Sequence, residues 1–275
     1  MHPAERSLTQ ALDYRDECHA LDELLRNVDD AAWAQQTQFK GWTFNDVLGH
    51  LYLFDHAAQL TLREPAAFSD LMRGIRGSAA RGQSLLEFTR AWHGDSGGHA
   101  LLSRWRECCE EVARLYSAAD PARRVAWAGP EMSVRSCISA RQMETWAHGQ
   151  ALFDALGQTR VENDRIKNIA IMGINTFAWT FANRGVAVPP VKPFVQLTSP
   201  SGAIWAWNEP NAVHRVEGTA VDFCRVVTQT RNMRDTRLRL CGETALRWMA
   251  DAQCFAGPPQ SPPPPGTRFA AELHR

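Results

Sequence analysis

The sequence predicts a mainly α protein, in which an antiparallel four-helix bundle is followed by a small α+β C-terminal domain. Up to residue 185, apolar residues recur at helical spacing in four long segments joined by short links. From Val186 onward, prolines interrupt the chain and apolar residues alternate with polar ones, as they do in strands. We therefore expect a bundle over residues 1–185, an α+β domain over residues 186–257 and a Pro-rich tail over residues 258–275.

The composition excludes several classes of partner. Of the 275 residues, 44% are hydrophobic, which is ample for a packed core. Thirty basic residues balance thirty acidic ones, which argues against a surface for nucleic acid or anionic membranes. Residues 1–30 are charged throughout, and no later segment has the uncharged length of a membrane span. Seven cysteines without a Cys-x-x-Cys pair suit reduced thiols, so we expect a cytoplasmic monomer or homodimer that acts on small molecules.

The first two helices are predicted over residues 5–28 and 44–62, each with one apolar stripe. Thr43 can cap the second helix, with Asp46 in the capping-box position. His50 lies on the apolar stripe of that helix, where a hydrogen-bonded core histidine is commoner than a metal ligand. Asp46 lies one turn earlier and could either orient the imidazole or only cap the helix.

The third bundle helix is predicted over residues 84–118, after a short helix over residues 68–76 and a glycine-containing link. Glycines between residues 94 and 98 mark a bend in it. An Asp-Pro pair at residues 120–121 closes the helix, and a Gly-Pro turn at residues 129–130 precedes the fourth.

The fourth helix, within residues 133–157, carries the candidate chemistry. Glu144 and His148 stand four residues apart in a helical pattern, so both side chains leave the same face one turn apart. Such a pair is half of a site for a divalent metal, although by itself it is more often part of a solvated helix face. In an antiparallel bundle the second and fourth helices can place His50 beside this pair.

An amphipathic helix is predicted over residues 164–183, where it is expected to pack on the bundle and lead into the second domain. Residues 194–198 and 203–207 then alternate around a Ser-Pro-Ser-Gly turn and predict a β-hairpin. Later elements are a strand at 213–217, a helix at 219–229, a strand at 236–241 and a helix at 243–254. This mixed order predicts a small α+β domain.

Three short motifs connect these elements to a known family. They are FKGWT at residues 39–43, VLGHL at 47–51 and RQMETWAH at 141–148. Together they resemble the DinB-like superfamily, and above all its mycothiol-dependent maleylpyruvate isomerase branch. The resemblance covers nearly the whole chain, because that branch also carries a small α+β C-terminal domain. The segment GTAVDFCRVVTQ at 218–229 is similar to its Gly-x-Ala-x-Asp segment.

The resemblance implies a divalent metal, usually assigned as zinc, held by His50, Glu144 and His148. Two imidazoles and one carboxylate leave such an ion with net positive charge and an open position, which is typical of catalytic sites. The same ligands are compatible with Ni²⁺, Fe²⁺ or Mn²⁺. The open position could hold water, a substrate oxygen or the thiolate of a small cofactor, for which mycothiol and glutathione are the candidates.

For an isomerase of this family, the resemblance implies that a thiolate adds to a double bond conjugated to a carbonyl. Rotation about the resulting single bond and elimination of the thiol then give the other geometry. A cation is needed for the enolate and the carboxylates, and Arg231 is the first candidate, with Arg225 and Arg234 as neighbours. A surface arginine is the commoner interpretation of Arg231.

Two departures from the family pattern leave the substrate and the thiol open. Lys40 replaces the usual proline before Gly-Trp-Thr, and TQTR at residues 228–231 stands where the branch often has Trp-Gly-Arg. Trp42, Phe54 and Trp146 are expected to be core residues rather than stacking partners of a substrate.

Three functions are compatible with these residues. The first is a metal-dependent, thiol-dependent isomerase of an unsaturated acid, or an S-transferase. The second is a metal-dependent hydrolase or lyase that uses bound water, with Asp46 or a nearby acid as base. The third is a metal-binding or small-molecule-binding protein without a reaction.

Overall fold

The computed structural model describes residues 8–270 and confirms a mainly α protein with a bundle followed by a small sheet. The chain divides into two compact units between Ala155 and Leu156. In the first unit the helices are α1 (Thr9–Leu25), α2 (Phe44–Arg63), α3 (Pro65–Ala80), α4 (Leu85–His93), α5 (Gly98–Ala118) and α6 (Val134–Ala155). A short hairpin of β1 (Arg124–Val125) and β2 (Met132–Ser133) lies between α5 and α6.

The four long helices α1, α2, α5 and α6 form the bundle, in which α1 and α2 each pack on both α5 and α6. Large side chains without appreciable exposure fill its interior. They are Tyr14, Leu21 and Leu25 of α1, Phe44 and Leu48 of α2, Trp105 and Tyr116 of α5, and Trp146 of α6. Burial of these faces, rather than helix propensity, provides most of the stability of such helices.

Helix α1 ends three residues before the predicted end, and the first three residues of its predicted range lie outside the described residues. Its buried face follows Ala11, Tyr14, Cys18, Leu21 and Leu25. Leu12 belongs to the apolar stripe predicted for this helix, but it is 36% exposed and lies outside the buried face. The stripe turns with the 3.6-residue period and leaves the Leu12 position near its edge.

Helix α2 begins with the capping box that the sequence predicts. Thr43 Oγ1 accepts a hydrogen bond from the Asp46 backbone N–H at 3.2 Å, and the Asp46 carboxylate accepts one from the Thr43 N–H at 2.9 Å. Pro65 follows the end of α2 and occupies the first turn of α3, where its missing N–H costs nothing.

The predicted third bundle helix is two helices, α4 and α5, rather than one bent helix. Gly94 and Gly98 both adopt positive φ, 65° and 58°, which a residue with a side chain adopts only with strain. The chain therefore leaves the helical path at Gly94, and α4 packs on α2 while α5 enters the bundle.

The second unit contains α7 (Lys167–Asn175), α8 (Phe177–Ala182), α9 (Ala220–Val227) and α10 (Glu243–Asp251). The predicted helix over residues 164–183 is thus two helices, which meet at Thr176, and the unit begins earlier than the predicted boundary after residue 185. The reason is that α7 packs on α9, so its apolar face belongs to the second unit. The division into domains over residues 1–185 and 186–257 and a tail over residues 258–275 stays a prediction.

The sheet of the second unit has the strand order β4-β3-β5-β6. Its strands are β3 (Phe194–Thr198), β4 (Ile204–Trp207), β5 (Arg215–Thr219) and β6 (Arg239–Cys241). The predicted hairpin is confirmed, because β3 and β4 pair antiparallel with Val195 opposite Trp207. Strand β5 runs parallel to β3, and β6 runs antiparallel to β5.

The Pro-rich tail, as far as residue 270, contains no helix or strand but is held by hydrogen bonds. Gln229 Nε2 donates to the Gln260 carbonyl at 2.9 Å, and Asn232 Nδ2 donates to the Pro263 carbonyl at 2.8 Å. Among residues 8–270, no helix combines the length and the apolar character that crossing a membrane requires.

Candidate metal centre

Three side chains from two bundle helices converge at one point. His50 lies on α2, and Glu144 and His148 lie one turn apart on α6. The Nε2 atoms of His50 and His148 lie 3.6 Å and 3.0 Å from Oε2 of Glu144. One donor atom from each residue lies within 4.8 Å of the other two, and within the described residues this is the one cluster of three such donors. Packing of α2 on α6 thus completes the half-site on α6.

The three side chains are shielded but not sealed. The exposed fractions of the side chains are 10% for His50, 13% for His148 and 24% for Glu144. Glu144 is thus the most exposed of the three side chains and His50 the least exposed.

The electrostatics favour the charge states that a metal requires. Burial lowers the pKa of His50 to about 4, although the neighbouring Glu144 carboxylate acts in the opposite direction. Burial alone would raise the pKa of Glu144, but the hydrogen bond from His148 at 3.0 Å and the nearby His50 imidazole at 3.6 Å hold that pKa well below its usual value. Near neutral pH, His50 is therefore a neutral imidazole and Glu144 a carboxylate, which are the forms that bind metal ions.

Aromatic rings enclose the two imidazoles. Trp42 stacks on His148 with 6.1 Å between ring centroids, and the edge of Phe39 meets the same imidazole at 4.9 Å. Phe54 lies 5.0 Å from the His50 ring. Trp42 and Phe54 are only half-buried and touch the imidazoles directly, whereas Trp146 is fully buried in the bundle core. The core assignment thus fits Trp146, and the other two rings form walls of the site.

Lys40 lies beside the aromatic rings that surround the two imidazoles. It adopts a positive φ of 55° in the turn that carries Phe39 and Trp42, and its Nζ lies 5.2 Å from the Phe39 ring centroid. A cation over an aromatic face is attracted by the ring quadrupole. The residue that departs from the family pattern therefore lies beside a ring that contacts His148.

The carboxylate of Asp46, the predicted base, already accepts hydrogen bonds from other residues. Both of its carboxylate oxygens accept hydrogen bonds from Arg90, at 2.7 Å and 2.8 Å, in addition to the cap on Thr43. These contacts lower its pKa against the effect of burial. His50 Nδ1 is buried and has no hydrogen-bond partner among the described residues, so Asp46 caps the helix and does not orient that imidazole. Nothing in these contacts supports a catalytic role for Asp46, and that role stays a prediction.

Arg231 belongs to the second unit, and its Nη1 donates to the Thr230 carbonyl at 2.9 Å. Its neighbour Arg225 approaches Asp222 at 3.8 Å. The assignment of Arg231 as the cation for the substrate stays a prediction.

A buried polar network beside the ligands was missed from the sequence. Arg141 is fully buried, and its Nε donates to Asp55 Oδ1 at 2.8 Å. Asp55 Oδ2 accepts from Trp105 Nε1 at 2.9 Å. Burial alone would lower the pKa of Arg141, but the carboxylates of Asp55 and Glu144 raise it above its usual value. The available signal was an aspartate within an apolar helix, which requires a buried partner.

The buried cysteines have other partners. Cys109 Sγ lies 3.7 Å from Asp55, Cys108 Sγ accepts from Gln59, and Cys137 contacts the Tyr116 hydroxyl. Burial raises the pKa of Cys137 to about 12. Thiols with such raised pKa values are poor nucleophiles near neutral pH.

The donor set fits a divalent metal. Two imidazole nitrogens and one carboxylate oxygen come together on two packed helices, and Zn²⁺ is commonly bound by this combination.

Residues 14–153 match the family described as the mycothiol maleylpyruvate isomerase N-terminal domain. Two uncharacterized proteins of Mycobacterium tuberculosis, from strains CDC 1551 / Oshkosh and ATCC 25618 / H37Rv, are 37% identical over 248 residues. Each alignment covers 90% of this chain and 95% of the relative.

Solved structures show the same fold. The crystal structure of the mycothiol-dependent maleylpyruvate isomerase superposes with a TM-score of 0.50 at 14% identity, and that of a single-site mutant with 0.51 at 13%. Each comparison covers 79% of this chain and 87% of the other. At this level of identity the likeness establishes the fold.

Proposed function

Because this chain belongs to the mycothiol maleylpyruvate isomerase N-terminal domain family, we propose that it is a divalent-metal-dependent enzyme using a small thiol. The reaction is the isomerisation of an unsaturated acid or the transfer of the thiol to an electrophile. The observation that carries the proposal is the convergence of His50, Glu144 and His148 within 4.8 Å. Zinc is the first candidate for the ion, and mycothiol or glutathione for the thiol.

His50, Glu144 and His148 would hold the metal. A divalent cation there would lower the pKa of a bound sulfhydryl, so that a thiolate nucleophile is available near neutral pH. The thiol must come from outside the chain, because the buried cysteines that could supply one have raised pKa values.

The residues of the chain have three tasks. His50 remains unprotonated because it is buried, and Glu144 remains ionised because His148 hydrogen-bonds to it and the His50 imidazole lies close by. Trp42, Phe39 and Phe54 exclude water from the imidazoles. The lower local dielectric strengthens every charge interaction at the site.

The substrate class follows from the same chemistry. A carbon–carbon double bond conjugated to a carbonyl accepts a thiolate and releases it again, and the carboxylates of an unsaturated acid need a cation. We propose Arg231 for that role, because it is the family-related position that the sequence indicates in the C-terminal part. A cytoplasmic monomer or homodimer is part of the same proposal, since the reaction needs reduced thiols.

The test begins with elemental analysis of the protein as isolated, followed by removal and return of the metal. We expect one divalent ion per chain and turnover of a cis-unsaturated keto acid, followed by its vinyl proton signals, only when metal and thiol are both present. Turnover without any thiol would favour the hydrolase or lyase alternative. Absence of metal from the protein would leave the third alternative, a small-molecule-binding protein.

A further inference from the structure

A buried ion pair joins the two helices that carry the candidate ligands. Arg141 of α6 donates from Nε to Asp55 Oδ1 of α2 at 2.8 Å, and from Nη2 to the Leu51 carbonyl of α2 at 3.3 Å. The side chains of Arg141 and Asp55 are 2% and 0% exposed. A single guanidinium therefore holds α2 at two points about one turn apart.

The far side of Asp55 is held as well. Its Oδ2 accepts a hydrogen bond from Trp105 Nε1 of α5 at 2.9 Å and lies 3.7 Å from Cys109 Sγ. If the Asp55 carboxylate moved together with Arg141, it would lose the hydrogen bond from Trp105. The Trp105 N–H would then be buried and unpaired, which is costly. The pair thus has a fixed anchor on a third helix.

The hydrogen bonds of Arg141 join residues that lie next to the candidate ligands in the chain. Leu51 is the residue after His50, and Arg141 lies one turn before Glu144 on the same helix. Sliding α6 along α2 by one residue displaces the helices by about 1.5 Å, which would break both bonds of Arg141. The same slide would change the 3.6 Å separation of His50 Nε2 and Glu144 Oε2 by a comparable distance.

Apolar packing alone does not resist such a slide strongly, because the hydrophobic effect has no preferred direction. Hydrogen bonds weaken steeply when their distance or angle changes. Removing two charges from water is costly, so a buried ion pair is poor evidence for stability, and the setting of register is its best attested use.

We propose that Arg141 and Asp55 are positioning residues, which set the register of α6 on α2 and so bring His50 to the Glu144 and His148 pair. Neither residue contacts the substrate or the metal in this role. The inference rests on the proposed metal site, and its test is chosen to separate the two.

The main variant is the double substitution Arg141→Met with Asp55→Asn, which removes both charges together. The asparagine carbonyl can still accept from Trp105, so the bundle keeps that bond. The matched control is Leu25→Ala, which creates a cavity in the core at a fully buried position of α1. Circular dichroism and thermal midpoints first establish how far each variant is destabilised.

Two measurements then report on register. The first is zinc affinity by calorimetry, using Zn²⁺ alone. The second is the NOE between the ring protons of His50 and His148 in metal-free protein with labelled histidine, since these ring centroids lie 4.6 Å apart. We expect the double variant to weaken zinc binding by at least about tenfold and to lose the NOE, as other supporting residues around metals do. The Leu25→Ala control should keep both.

Parent-like zinc affinity and an unchanged NOE in the double variant would overturn the proposal. If the parent binds no zinc, the proposed function fails, and the NOE alone decides whether the pair sets the register. Should the double variant not fold, Arg141→Lys replaces it, because a lysine can keep the bond to Asp55 but not both bonds to α2. A zinc affinity of that variant equal to the parent would count against the proposal in the same way.

Discussion

The interface between α2 and α6 and the core of the second unit are built on opposite principles. The first holds a buried ion pair, two imidazoles and a carboxylate within a helical bundle. In the second, Trp248 of α10 meets Phe177 of α8 and Phe223 of α9 edge to face, with ring centroids 5.2 Å and 5.8 Å apart. Apolar packing stabilises the fold without requiring precise geometry. The polar interface costs desolvation free energy, but its directional hydrogen bonds fix the positions of the side chains.

This comparison predicts that substitutions in the two regions have different consequences. Changes at the polar interface should alter metal binding more than the free energy of unfolding. Changes in the apolar core of the second unit should do the reverse. Four experiments test this separation, in order of decreasing effect.

The largest effect is expected for His148→Ala, which removes one of three candidate ligands. The affinity for zinc should fall by about 1,000-fold or more, equivalent to about 4 kcal/mol of binding free energy. Stoichiometric zinc uptake is then lost, while the helical circular dichroism stays intact. Equilibrium dialysis with elemental analysis measures it. His19→Ala is the control, because His19 is half-exposed, pairs with Glu110 and is not one of the candidate ligands. Equal metal content in the His148 variant and the parent would contradict the ligand assignment.

The second effect is expected for Trp248→Ala, which leaves a large cavity among the aromatic rings of the second unit. The free energy of unfolding should fall by about 3–5 kcal/mol, measured by denaturant titration, while zinc affinity of the folded protein is unchanged. Leu246→Ala on the same helix is the control, since Leu246 is 47% exposed and should change stability by at most about 0.5 kcal/mol. A lower zinc affinity in the Trp248→Ala variant would contradict the prediction that the core of the second unit affects stability but not metal binding.

The third effect concerns pH in metal-free protein. The pKa of His50 is about 4 in the folded state against 6.5 in the unfolded chain. The unfolded chain therefore takes up a proton first, and stability should fall as pH decreases from about 6.5 to 4, by at most about 3 kcal/mol. Above pH 6.5 this contribution is complete and flat.

Denaturant titrations across that range measure the pH effect, and His50→Gln provides the comparison. The variant should show a smaller slope between pH 6.5 and 4 than the parent. Parallel pH profiles for the two proteins would show that His50 is not responsible.

The smallest effect is expected at the helix caps. Thr43→Ala at α2 and Thr219→Ala at α9 each remove a side chain that accepts the backbone N–H of an aspartate, at 3.2 Å and 3.0 Å. Each should lower the free energy of unfolding by about 1 kcal/mol. Only Thr43→Ala should also weaken zinc binding, since Trp42, the preceding residue, stacks on His148. A change in zinc affinity with Thr219→Ala would contradict the comparison.

Asp46 and Asp55 show why part of the site could be predicted and part could not. Both are buried aspartates on α2. The capping function of Asp46 depends on Thr43 three residues away, so local spacing predicts it. The partner of Asp55 is 86 residues distant in the chain, so its function depends on which helix packs opposite it.

The sequence by itself determined the mainly α fold, the capped start of α2 and the pairing of Glu144 with His148 on one face, because all of these follow from periodicity and short-range contacts. It also determined the hairpin of β3 and β4. The break between α4 and α5, the assignment of α7 to the second unit and the ion pair of Arg141 with Asp55 were decided only by the tertiary structure. The physical reason is that they depend on which surfaces meet in three dimensions, and helical spacing is equally compatible with several such packings.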